Sequence, residues 1–109
     1  DPNALAAACY NAAINNVNCD FSGDLNTVSL DVDIVLMADV LYDKSNADLL
    51  KTAQKLAPNI LVADSRIQKM PVPGYTEIFR TESRTLPNLG EFDEYRTARV
   101  FHWSRKQRR

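Results

Sequence analysis

The sequence has few of the residues that build metal sites and disulfide frameworks. Its 109 residues include two cysteines, Cys9 and Cys19, and a single histidine, His102. The two cysteines lack the close spacing of zinc ligands, and two are too few for a disulfide scaffold. The sequence therefore argues against a zinc site, and we expect reduced thiols and a cytoplasmic protein by default.

Long apolar runs and an excess of charge of one sign are also missing. No apolar stretch approaches the roughly 20 residues that a membrane-spanning helix needs. The formal net charge is -1, which creates no overall field to attract nucleic acid or an anionic membrane. We therefore expect no membrane partner, and the charge balance argues against nucleic acid as a partner.

The composition that remains is ordinary for one globular domain or part of one. Hydrophobic residues make up 45% of the chain and charged residues 25%. The chain opens with Asp1-Pro2, which suits the N-cap and first position of a helix. Because a natural chain seldom starts at the first turn of a helix, we expect further sequence upstream of Asp1.

The most informative stretch covers residues 31–43. Residues 34–38 form a continuous apolar run, Ile-Val-Leu-Met-Ala, which is bounded by acids and too short to form a helix. Such a run is typical of a strand that is buried on both faces of a parallel sheet. The run ends at Asp39, with Tyr42 close behind, and open α/β sheets bind ligands at the carboxyl ends of their strands. Asp39 and Tyr42 are therefore candidate site residues.

Periodicity and helix breakers predict the rest of the chain. The predicted elements are a helix at 2–16, a short strand at 19–21, the central strand at 32–38, a helix at 45–57, and strands at 59–64, 75–86 and 95–103. Ser45 is the expected N-cap of the second helix, with Asp48 at the capping-box position. The last two strands should form an antiparallel hairpin around a turn at 87–90, and residues 104–109 a basic tail. The sequence thus predicts an α/β fold in which the strand at 59–64 lies parallel to the central strand.

Several segments together resemble one enzyme family. The matching segments are residues 1–4, Asn11, Asn15-Asn16, 33–43, 61–64 and 97–103. They resemble the C-terminal part of a class I S-adenosylmethionine-dependent methyltransferase. More narrowly, they are similar to the group that contains predicted nicotinamide N-methylases and the lysine methyltransferases related to the electron-transfer-flavoprotein β-subunit enzyme. Within them, Asp39-Val40-Leu41-Tyr42 fits that group's acid-x-x-tyrosine signature.

The resemblance implies a fold, a cofactor and a reaction. The fold would be the Rossmann-like methyltransferase fold, a seven-stranded sheet ending in an antiparallel hairpin, with residues 1–103 forming its C-terminal part. The glycine-rich loop and the acid that holds the ribose would lie upstream, so we expect the chain alone to be poorly stable and inactive. The cofactor would be S-adenosyl-L-methionine, and the acceptor a protein lysine or a small amine. The group's Gly-Asp-Pro-Gly-Arg motif stands here as Ala63-Asp64-Ser65-Arg66-Ile67.

The resemblance also implies roles for individual residues. Asp39 would orient the acceptor amine, and Tyr42 would wall the acceptor site. Asp24 would accept a hydrogen bond from the adenine amino group, the backbone N–H of Leu25 would reach the ring, and Ala38 would line the cofactor. Structural roles are the alternative: Asp39 ends a strand, Tyr42 packs on the next helix, and residues 22–24 form a plain turn.

Asp64 and Arg66 are the remaining candidates. The resemblance implies that they line the acceptor side, whereas their composition alone predicts a solvated loop. Two other functions stay open. The chain could be a methyltransferase-like binding or structural module without a cofactor site, or part of another doubly wound enzyme such as a dehydrogenase.

Overall fold

The computed structural model describes residues 1–27, 32–41, 44–82 and 97–105. In these ranges the protein is a small α/β domain with two α-helices and a four-stranded mixed sheet. The elements are α1 (Pro2–Ile14), β1 (Ile34–Ala38), α2 (Asp48–Leu56), β2 (Asn59–Asp64), β3 (Thr76–Glu82) and β4 (Thr97–Ser104), with short 3-10 turns at Leu25–Thr27 and Lys44–Ala47. The predicted α/β class is confirmed.

The sheet has the order β1-β2-β4-β3. β1 and β2 are parallel, with Ala38 opposite Ala63, as predicted from the two apolar runs that close on an acid. β4 lies between β2 and β3 and is antiparallel to both. The predicted terminal hairpin is therefore confirmed, and its second strand joins it to the parallel pair. The turn predicted at 87–90 and residues 106–109 of the predicted tail lie outside the described residues.

The core lies between α2 and one face of the sheet. Leu50 of α2 and Ile60 and Val62 of β2 are fully buried, and Phe101 of β4 and Met37 of β1 complete the centre of the cluster. Burying an aliphatic side chain of this size contributes about 1.5–3 kcal/mol. The core therefore fixes β2 and β4, and with them the carboxyl end of β2.

The prediction that the central strand is buried on both faces is wrong. Met37 is 9% exposed, but Ile34 and Leu36, which point to the opposite face, are 44% and 71% exposed. In the described residues α1 buries no side chain, so it does not cover this face. An apolar run in the sequence indicates a hydrophobic strand. Whether each face of that strand is buried depends on the element that packs against it, which the run does not show.

Two local predictions near α1 also need correction. α1 is capped by Asp1, whose side chain accepts a hydrogen bond from the Asn3 N–H at 2.8 Å, as expected. It ends at Ile14 rather than at residue 16, because Asn16 adopts a left-handed φ of 55° that ends a helix. Residues 19–21 form no strand. A strand needs a neighbour for its backbone hydrogen bonds, and no described strand pairs with this segment.

The start of α2 differs from the prediction as well. Lys44–Ala47 wind as a 3-10 turn, so the N-cap of α2 is Ala47 and not Ser45, and the cap has no side-chain hydrogen bond. Asn46 ties this turn to the end of β1 instead, since its Nδ2 donates to the Val40 carbonyl at 2.7 Å. Leu50 and Ala53 form the buried face of α2.

Candidate functional site

Two carboxylates lie at the carboxyl edge of the parallel pair. Asp39 directly follows β1 and Asp64 is the last residue of β2. The strands are in register up to Ala38 and Ala63, and the Asp39 N–H donates to the Ala63 carbonyl at 2.8 Å. The chain thus brings two of its predicted site residues, Asp39 and Asp64, to the edge where open α/β sheets bind ligands.

Asp39 is held in an uncommon backbone conformation. Its φ is 50°, in the left-handed region that residues other than glycine seldom adopt. Its Oδ1 accepts hydrogen bonds from the Ser65 N–H at 3.0 Å and the Ser65 hydroxyl at 3.2 Å. Both bonds fall on Oδ1, and the residue remains exposed. Asp39 therefore offers a carboxylate that is fixed in direction and accessible to a ligand.

Asp64 has the opposite environment. It is 2% exposed, and its Oδ1 accepts a hydrogen bond from the Arg66 N–H at 2.7 Å. Its Oδ2 is buried without a hydrogen-bond partner among the described residues. A buried acceptor left without a donor costs about 1–3 kcal/mol, so this oxygen would be stabilised by a donor from a ligand or water. The expectation of a solvated loop is wrong for Asp64, whereas Arg66 is exposed.

A cluster of charges lies next to Asp64 on the hairpin. Arg99 is opposite Asp64 in the β2–β4 register and opposite Arg80 in the β4–β3 register. Glu77 bridges the two arginines: it accepts from Arg80 Nε at 2.9 Å, and Arg99 Nε is 3.6 Å from its Oε1. The hydrogen bond from Arg80, with the nearby charges of Arg80 and Arg99, lowers the pKa of Glu77.

Sequence reasoning missed this cluster for a geometric reason. In a regular strand, residues three apart point to opposite faces, which would separate Glu77 from Arg80. The pairing of β3 with β4 shifts register between Glu77 and Phe79, and this bulge returns both charged residues to one face. Alternation alone gives no sign of a bulge.

Besides the carboxylate pair, the predicted site includes three residues expected to contact the cofactor: Asp24, Leu25 and Ala38. Asp24 is exposed in a turn in which its carbonyl accepts a hydrogen bond from the Thr27 hydroxyl at 2.8 Å. Leu25 opens the 3-10 turn that follows, and the main contact of that turn is with α2. Ala38 is exposed at the end of β1, beside Asp39. The cofactor roles of Asp24, Leu25 and Ala38 stay predictions, and Tyr42 lies outside the described residues.

Among the described residues, no group of three His, Cys, Asp or Glu side chains is arranged to hold a metal ion. Within the same ranges, no helix has the length and apolar character needed to cross a bilayer. Comparisons with protein-family models, with curated proteins and with solved structures find no match. Function is therefore inferred from the geometry of the carboxyl edge and from the resemblance of the sequence.

Proposed function

We propose that this chain forms the acceptor side of an S-adenosylmethionine-dependent N-methyltransferase that acts on a protein lysine or a small amine. The observation that carries the proposal is the pair of carboxylates at the carboxyl edge of β1 and β2. One is exposed and oriented by Ser65, and the other is buried with Oδ2 unpartnered among the described residues. The exposed carboxylate of Asp39 suits a ligand that carries N–H donors, such as an amine.

The fold is consistent with the proposal. The terminal hairpin of β3 and β4 beside a parallel pair is the arrangement that the methyltransferase resemblance implies, and it supports the proposal of a Rossmann-like methyltransferase fold. Residues that the resemblance assigns to the cofactor are accessible. Asp24 and Ala38 are both exposed, and the methyl side chain of Ala38 leaves room beside the strand end. With Leu25, these residues would hold the cofactor.

The chemistry required of the chain is orientation of the amine. When bound, S-adenosylmethionine supplies a methyl group on a positively charged sulfur. The amine must be neutral to attack, and Asp39 accepts one of its N–H groups so that the nitrogen lone pair faces the methyl carbon. Positive charge would develop on nitrogen as the N–C bond forms and the sulfur–methyl bond breaks, with the neutral thioether S-adenosylhomocysteine as the leaving group. The carboxylate of Asp39 therefore stabilises the transition state more than the neutral amine, and water removes the proton afterwards.

Asp64 has a supporting role in this proposal. It is too buried to touch the amine, and its Oδ1 accepts the Arg66 N–H, which orders the loop that carries Ser65. Ser65 keeps Asp39 in place through its N–H and hydroxyl. Tyr42, which follows three residues after Asp39, is proposed as the wall of the acceptor site.

The experiment compares two aspartate variants of this protein, together with any sequence that precedes Asp1. Transfer of labelled methyl from S-adenosylmethionine to lysine-containing proteins is measured for Asp39→Asn and for Asp33→Asn. Asp33 is exposed just before β1 and provides the matched control. We expect Asp39→Asn to lower the rate by about a hundredfold, because it removes the charge that stabilises the developing ammonium, and Asp33→Asn to leave it unchanged.

Binding of S-adenosylhomocysteine distinguishes the alternatives. Calorimetric titration is carried out on this chain and on the protein extended upstream. Binding by the extended protein, with methyl transfer that depends on Asp39, supports the proposal. No binding by either protein contradicts it and favours a methyltransferase-like module without catalytic activity.

A further inference from the structure

A basic groove lies between α2 and the far end of the sheet. Its volume is about 700 Å³. Seven residues line it: three cationic side chains, one amide and three apolar residues, namely Lys51, Lys55, Arg105, Gln54, Val72, Pro73 and Trp103. No acidic side chain is among the residues that line it. The groove therefore presents concentrated positive charge on a protein whose net charge is -1.

Three cations of the groove lie on or beside α2. Lys51 and Lys55 are one helical turn apart on that helix, and like charges at this spacing repel. Arg105 is fixed at the end of α2, since its Nη2 donates to the Gln54 carbonyl at 3.0 Å and its backbone N–H to the Pro58 carbonyl at 2.9 Å. A guanidinium has five N–H donors, so others remain for a ligand. Lys55 in the last turn and Arg105 at the last carbonyls also suit the negative end of the helix dipole. Lys51, in the middle of α2, has no such role, and it leaves the groove with three cations and no acidic lining residue, which suits an anionic partner.

The apolar side of the groove is also preorganised. Val72 is buried and Trp103 is partly buried. The Trp103 ring lies against Gly74, where an added Cβ would come within 3.0 Å of Trp103 Cδ1. Gly74 also has a φ of 94°, which favours glycine, so this close approach is built into the backbone. The result is a fixed apolar surface bordered by cations.

The groove is separate from the carboxylates. Trp103 and Ser104 pair with Ile60 and Asn59 at the start of β2, whereas Asp64 ends that strand. At about 3.3 Å per residue, the two ends of β2 are roughly 17 Å apart. A ligand in the groove therefore leaves Asp39 accessible.

We propose that the basic groove binds an acidic segment of a partner protein. An apolar side chain of that segment lies against Trp103 and Pro73, and its carboxylates pair with the cations of the groove. The observations favour a peptide over nucleic acid for two reasons. The groove offers one aromatic ring, where single-stranded nucleic acid is bound by successive stacking platforms, and the protein has no overall positive field for a phosphate backbone.

Trp103 makes the proposal directly testable. It is the only tryptophan of the chain, so its fluorescence reports on the groove alone. The protein is titrated with a synthetic peptide of alternating glutamate and leucine, and separately with polyuridylate. We expect the peptide to change the Trp103 emission, with an affinity that falls as salt is raised because exposed ion pairs are screened.

Two charge reversals provide the comparison. Lys51→Glu should weaken peptide binding about fivefold, because it replaces an attraction at the groove by a repulsion. Lys69→Glu makes the same change at an exposed loop lysine outside the groove and should leave binding unchanged. Circular dichroism checks that both variants are folded. If either charge-reversal variant is unfolded, Lys51→Gln and Lys69→Gln replace them as the compared pair. Tighter binding of polyuridylate, equal weakening by the two substitutions, or no peptide-dependent change would overturn the proposal.

Discussion

At the residue scale, the backbone of Asp39 is the feature with the clearest consequence. A left-handed φ disfavours any residue with a Cβ, and an aspartate is tolerated there because its short polar side chain can form local hydrogen bonds. In this protein the side chain of Asp39 instead accepts hydrogen bonds from Ser65, which is distant in sequence and lies in the loop after β2. Asp39 therefore serves two purposes, since the bonds that hold the backbone also fix the carboxylate in direction.

This gives a prediction about two substitutions that both remove the carboxylate. Asp39→Ala keeps the Cβ in the left-handed conformation, whereas Asp39→Gly relieves that strain. We expect the alanine variant to be less stable than the glycine variant by about 1 kcal/mol, measured by urea denaturation. Equal stability, or a more stable alanine variant, would show that the φ of Asp39 carries no strain.

At the element scale, the bulge in β3 creates an interaction that the hairpin would otherwise lack. Arg80 and Arg99 are directly opposite each other, and like charges in such a pair repel. The bulge places the Glu77 carboxylate between them. The hairpin is thus held at this point by a group whose charge depends on pH.

The pH dependence follows from the lowered pKa of Glu77, whose first cause is the hydrogen bond from Arg80. The folded protein binds this proton less readily than the unfolded chain, whose ordinary glutamate pKa is 4.5. The stabilising contribution is therefore present above that pKa and is lost as pH falls through the lower pKa of the folded state. We expect Glu77→Gln to lose less stability on acidification than the wild type, measured by thermal unfolding across the acid range.

Glu82→Gln is the matched control for that prediction. Glu82 ends the same strand and lies outside the Glu77 cluster. Its replacement should therefore leave the loss of thermal stability on acidification the same as in the wild type. An unchanged acid dependence in Glu77→Gln would show that the cluster contributes nothing to stability.

The elements also show what the sequence can and cannot predict. The apolar runs at 34–38 and 59–64 and the closing hairpin were predictable because hydrophobic pattern and strand length are local properties. The cap of α2 was not, since Ser45 satisfies the capping pattern but the chain winds into a 3-10 turn tied to Val40. The burial of Asp64 and the pairing of Glu77 with Arg80 depend on neighbours distant in sequence or on a bulge, which a single sequence does not reveal.

At the scale of the whole molecule, the outer strands of the described sheet carry its largest exposed apolar side chains. β1 and β3 are the edge strands of that sheet. Leu36 on β1 is 71% exposed, and Ile78 and Phe79 on β3 are 57% and 58% exposed. Strand edges with exposed apolar residues readily pair with other chains. Two acidic residues, Asp33 and Asp39, flank β1. Repulsion between such residues would oppose pairing of two β1 edges at the ends of the strand but not along its apolar middle.

We therefore expect the isolated chain to self-associate through β1. Leu36→Thr keeps a residue suited to strands but removes the largest exposed apolar side chain of that edge, so it should shift the protein towards monomer without loss of stability. Sedimentation over a range of protein concentrations measures the shift. Phe79→Thr makes a comparable change at the other edge, and an equal effect there would assign the association to general hydrophobicity and not to β1. If both variants and the wild type are monomeric, the apolar face of β1 does not drive association, and its exposure needs another explanation.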